Sequence, residues 1–155
     1  MRPRRAMVLA TATMALVAGS AATADGAILL QHGIGGVRLG QTEGKVRAVR
    51  GVPVRVVRAR NEFGGYIQLR YRGLTVTFQG GRRVTAVSTR GRTERTNRGV
   101  GVGSTKAELL AAHPSVTCPD TFHCVVGREE PGRTVSSFAL RSGVVRQVTI
   151  GFVID

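Results

Sequence analysis

The sequence contains no tryptophan, and aromatic residues make up only 5% of its 155 positions. Acidic residues are scarce: 9 stand against 23 Lys and Arg, for a formal charge of +14. Lysine is almost missing too, since Lys45 and Lys106 are the only two. Beyond the amino terminus no stretch approaches the ~20 continuous apolar residues of a membrane span, which excludes a helical membrane bundle. The length excludes a large multidomain enzyme. A hydrophobic share of 42% excludes a disordered or collagen-like chain and leaves enough material for one core. Acids, His and Ser are too scattered to assemble the cleft of an extracellular hydrolase, the rival class to a binding protein. No cofactor is expected.

What the amino terminus does have is the layout of a secretory signal over residues 1–24. Arg2, Arg4 and Arg5 form a positive start, an apolar stretch runs from Ala6 to Ala18, and Ala22-x-Ala24 fits the small-residue cleavage rule. That stretch is too short to cross a bilayer of about 30 Å comfortably, so cleavage before Asp25 is expected, with no membrane span remaining. The expected location is therefore secreted, or periplasmic within the cell envelope. Arg in place of Lys, with 21 Gly and abundant Ala, is what a GC-rich bacterial coding sequence produces. Part of the positive charge is thus compositional.

The remainder divides into two similar stretches, residues 25–98 and 99–155. Gly36-Val37-Arg38-Leu39-Gly40-Gln41-Thr42 and Gly99-Val100-Gly101-Val102-Gly103-Ser104-Thr105 share Gly, Val, Gly and Thr at an offset of 63 residues. Pro53 and Pro114 follow each. Val76-Thr77-Phe78, Gly81 and Val84 to Val87 then resemble Phe138-Ala139-Leu140, Gly143 and Val145 to Val148. Each copy starts a short helix: Thr42 or Gln41 precedes one with Glu43 in its first turn, and Thr105-Lys106-Ala107-Glu108 is a capping-box pattern. Each then alternates apolar and polar residues, as in Ile67-Gln68-Leu69-Arg70-Tyr71, between Gly-containing turns. The fold class expected is α+β, two similar repeats of a short helix followed by an antiparallel meander.

Leu39-Gly40-x-Thr42, Val46 and Gly51-x-Pro53, with their counterparts Val102-Gly103-x-Thr105, Leu109 and Pro114, resemble the repeats of beta-lactamase-inhibitor proteins. They also resemble outer-membrane assembly lipoprotein domains of the SmpA/OmlA (BamE) type. The resemblance implies a non-catalytic module that grips a partner protein with a curved sheet. The chain departs from it by carrying Arg and Thr where aromatic anchors are usual, with Tyr66, Tyr71 and five Phe as its aromatic set, and by a first half without cysteine. The module fold carries over; beta-lactamase inhibition does not.

Cys118 and Cys124 flank five residues, and in an exported protein they are expected to pair. The alternative is a zinc site using Cys118, His123, Cys124 and His113, at a spacing that is not standard for zinc. The Gly99–Thr105 stretch lacks the order of a phosphate loop. Glu129 and Glu130 adjoin Pro131-Gly132 as a solvated loop pair, and His32 belongs to an exposed loop. Two basic runs remain as candidate anion-binding residues: Arg47, Arg50, Arg55 and Arg58 from the first, Arg82, Arg83, Arg90 and Arg92 from the second. Brought to one surface, they would attract an acidic protein, an anionic envelope polymer or lipid. Nucleic acid is disfavoured by export and by the lack of aromatics interleaved with Arg.

Overall fold

Gly40 and Gly103 set the local geometry from which both helices start. Each adopts a positive φ, 79° and 95°, a region that side chains disfavour. The computed structural model describes residues 27–154; the expected signal, its cleavage site and Asp25 lie outside the described residues. Two residues after each glycine a threonine caps a helix, α1 (Glu43–Arg50) after Thr42 and α2 (Lys106–Ala112) after Thr105. Thr42 Oγ1 accepts the amide of Lys45 at 3.4 Å. Thr105 does more: its hydroxyl accepts the amide of Glu108 at 3.2 Å, and the Glu108 carboxylate accepts the Thr105 amide at 2.7 Å. The Gly40 amide donates to the Val84 carbonyl at 2.9 Å and the Gly103 amide to the Val145 carbonyl at 2.8 Å. In return the amides of Val84 and Val145 donate to the carbonyls of Gln41 and Ser104 at 2.9 and 2.8 Å.

The fold is α+β. Three two-residue strands, β1 (Ile28–Leu29), β2 (Gly33–Ile34) and β3 (Val37–Arg38), form a small antiparallel sheet. Seven further strands form one continuous antiparallel sheet: β4 (Arg55–Asn61), β5 (Gly64–Arg70), β6 (Leu74–Gln79), β7 (Ala86–Thr89), β8 (His123–Val126), β9 (Thr134–Arg141) and β10 (Val144–Phe152). Their spatial order is β4-β5-β6-β7-β10-β9-β8. The seam between the first four strands and the last three is the β7–β10 pair, with Val87 opposite Ile150 and Thr89 opposite Val148.

Directly opposed residues share a sheet face, and the face alternates along each strand. One face carries Leu69, Leu74, Val76, Phe78, Val87, Phe138, Val148 and Ile150, all buried. Onto it pack Val46 of α1, Leu109 of α2, and Ile28, Ile34 and Val37 of the small sheet, giving a single core. Phe78 and Phe138, at 2% and 0% exposure, are its largest members. Burying such a side chain contributes roughly 2–3 kcal/mol, so these two rings anchor the two sides of the seam.

The small sheet was not read from the sequence, which took only His32, as an exposed loop residue. His32 itself is exposed, but Ile28, Ile34 and Val37 around it are buried. Their β periods of two residues are too short to register as alternation. Within the first basic run, Arg55 and Arg58 lie in strand β4 at the sheet's edge.

Candidate functional site: the open face of the sheet

The second face of the seven-stranded sheet is left uncovered. One row crosses all seven strands through the pairs Arg55–Arg70, Arg70–Thr75, Thr75–Ser88, Ser88–Thr149, Thr149–Ser137 and Ser137–Val125. The next row runs Val57, Gln68, Thr77, Ala86, Gly151 and Val135. Half-buried Thr75, Ser88, Thr149, Ser137, Gln68 and Thr77 are interleaved with Val57, Ala86 and Val135, Val125 and Gly151 are buried, and guanidinium groups lie toward the β4 edge. None of the seven strands contains an Asp or Glu, whereas Arg55, Arg58, Arg60, Arg70, Arg141 and Arg146 all lie in them. Arg55 directly opposite Arg70 is a like-charge pair with no carboxylate between, an arrangement that costs stability.

A concavity of about 410 Å³ opens on this face over β5, β6, β7 and β10. Its wall includes Gln68, Arg70, Thr75, Ser88, Arg90 and Gln147. Each arginine is held by an amide. Gln68 Oε1 accepts Nη2 of Arg70 at 3.0 Å, and Gln147 Oε1 accepts Nε of Arg90 at 2.8 Å. Gln147 is held in turn by donating to the Thr149 hydroxyl at 3.1 Å. A guanidinium has five N–H donors, so both arginines keep several for another acceptor.

The structure disperses the eight arginines singled out from the sequence. Arg47 lies on α1 and pairs with Glu43 at 2.7 Å. Arg50 donates to the Gly35 carbonyl at 3.4 Å and sits 6.0 Å from the centre of the Tyr71 ring. The Tyr71 hydroxyl donates to the Gly51 carbonyl at 3.3 Å, and its pKa is raised, chiefly by burial. Arg83 donates to the Gly40 carbonyl at 2.9 Å. Arg58 falls on the core side of β4, opposite Ile67, where it is exposed. Arg82 lines a separate groove with Thr42, Ile67 and Phe78, and Arg92 is exposed in the loop after β7. Arg55 and Arg90 alone reach the open face. Arg70, Gln68 and Gln147 were missed as site residues; the signal available for them was their place at the polar positions of alternating strands.

Cys118 and Cys124 form a disulfide. Cys124 is fully buried opposite Phe138, and the loop it closes is tied to β9 by the Leu140 amide donating to the Phe122 carbonyl at 2.7 Å. Both sulfurs are thereby removed as thiolate donors, which overturns the zinc alternative. His113, its fourth member, is instead buried against Thr96. Among the described residues no group of three or more His, Cys, Asp and Glu is placed to hold a metal ion. Among them, too, no helix is long and apolar enough to cross a membrane. Glu129 and Glu130 are exposed and face His123 at 3.8 Å and Arg133 at 3.8 Å, respectively.

No protein family and no curated protein matches this chain. Among solved structures it is similar to an extracellular protein of Bacillus anthracis that contains an SCP domain, with 10% sequence identity and a TM-score of 0.52. The match covers 74% of this chain and 44% of that one, so the chain spans less than half of its structural neighbour. At that identity the likeness concerns the fold.

Proposed function

We propose that this chain is an exported, non-catalytic binding protein that holds a partner protein of acidic surface against the open face of its sheet. One observation carries the reading: a seven-stranded sheet without a single carboxylate in its strands leaves a face of hydroxyls, amides and arginines uncovered. Such a face is too polar to be a missing core and has the wrong charge balance for an ordinary solvated surface. The disulfide supports export, because thiols stay reduced in the cytoplasm. The equivalent Gly–Val amide contacts at Gly40/Val84 and Gly103/Val145, and the equivalent threonine caps, support two copies of one helix-and-meander unit. They equally favour kinship with the inhibitor and assembly-lipoprotein modules named above.

Capture of partners from envelope extract, by the protein and by an Arg55→Glu/Arg70→Glu variant, tests this function. Capture that falls with salt and with charge reversal on the face, but not with Arg128→Glu in an exposed loop, is the expected outcome. Capture indifferent to both salt and reversal, or capture of anionic polymer alone, overturns the reading.

A further inference from the structure

Arg70 and Arg90 stand at the concavity with their side chains already held by Gln68 and Gln147. Long arginine side chains lose rotamer freedom when they bind, and a guanidinium fixed beforehand loses less. Thr75 and Ser88, between them on adjacent strands, add two hydroxyl donors to the same wall. No Asp or Glu lines the concavity. Internal pairing therefore accounts for only part of the donor set: one amide oxygen per arginine is far fewer acceptors than the N–H groups present.

We infer that this concavity is a receptor for a single oxyanion group, a carboxylate or a phosphate, held by Arg70 and Arg90 from its two sides and by the Thr75 and Ser88 hydroxyls from its floor. The inference rests on the open-face reading and deepens it, by naming the chemical group at which a partner is anchored. Arginine forks suit both carboxylate and phosphate, so the chemistry is common to the two sources. The surrounding like-charged pair Arg55–Arg70 adds attraction for any anion approaching the β4 side.

Amide chemical shifts of the disulfide-bonded protein, titrated with inorganic phosphate and separately with succinate at fixed ionic strength, test the site. Saturable shifts at Thr75, Ser88 and Arg90 are expected, with a Kd on the order of 1 mM for so small an anion. Arg90→Gln should weaken binding about tenfold, and Arg70→Gln should do the same should the first variant fold poorly. A response to phosphate alone assigns a phosphoryl group, and a response to succinate alone assigns a carboxylate. Shifts that never saturate with either anion, or that are unchanged in a folded Arg90→Gln protein, overturn the site. Partner capture kept by a folded Arg90→Gln protein that has lost oxyanion binding overturns the pocket as the partner's anchor and leaves the open-face reading standing; an unmodified protein that captures its partner in a salt-dependent way yet binds neither anion likewise removes the pocket only.

Discussion

Thr96 Oγ1 lies 2.9 Å from Nε2 of His113 while it accepts the amides of Val100 and Arg98 at 3.2 and 3.4 Å. With both lone pairs used, the hydroxyl has one proton left to give, and it gives it to Nε2. His113 is therefore a neutral imidazole carrying its proton on Nδ1. Burial at 7% exposure pushes its pKa down from 6.5, and the nearby Arg98 guanidinium pushes the same way.

The sign of the resulting pH dependence follows. Well above pH 6.5 His113 is neutral in both folded and unfolded chains and contributes no pH dependence. Below it the unfolded chain takes up a proton that the folded one refuses, so stability falls with pH until the folded pKa is reached. Thermal melts at pH 7.5 and 5.5 should show the loss, at most about tenfold in the unfolding constant per pH unit. His113→Gln should melt lower at pH 7.5 yet flatten the slope. A slope unchanged in that variant would assign it elsewhere.

The two helix starts should respond unequally to the same substitution. Thr105→Ala removes a reciprocal cap and is expected to destabilise by about 1 kcal/mol, whereas Thr42→Ala, with one bond at 3.4 Å, should cost less. Urea denaturation of the two variants compares them directly. Glu108 is held below the ordinary carboxylate range, mainly by the Thr105 amide, so the cap's contribution is present at neutral pH and lost as acid protonates that carboxylate.

Removing the disulfide should destabilise the protein without abolishing the sheet. A loop with sequence separation 6 is short, and the expected loss for Cys118→Ser/Cys124→Ser is about 2 kcal/mol. Proteolysis between β8 and the preceding segment should accelerate. Thiol titration of the unreduced, denatured protein should find no free thiol.

Phe138→Ala should be far more damaging than Phe152→Ala. The first ring is fully buried and its loss costs about 3–5 kcal/mol; the second is 38% exposed at the end of β10. Equal losses in equilibrium unfolding would contradict the assignment of Phe138 to the centre of the core.

Much of this architecture was legible from periodicity and caps. Alternation in Gly64–Arg70, Leu74–Gln79 and Thr134–Arg141 marks strands, and Thr105 with Glu108 marks a helix start, because both signals repeat within a few residues. The edge strand β4 was hidden by its own arginines: Arg55, Arg58 and Arg60 fall on both faces, so no apolar stripe shows. Edge strands tolerate this because charge there discourages pairing with other chains. The small sheet was hidden by brevity. As for the site, charge density along the sequence pointed to eight arginines, but the fold spends Arg47, Arg50 and Arg83 on the protein's own carbonyls and carboxylates. What brings Arg70 and Arg90 together is strand order, which pairs β6 with both β5 and β7 and sets β10 beside them. No local pattern encodes that neighbourhood.

The strand that lies between β7 and β9 is also the one that follows all the others along the chain. Until residues 144–152 are delivered, β4 to β7 and β8 to β9 are two separate ribbons, each with a bare hydrogen-bonding flank at what will become the interior. A chain threaded amino end first across a membrane would hence keep this sheet open, and vulnerable to mispairing, until β10 has arrived between β7 and β9.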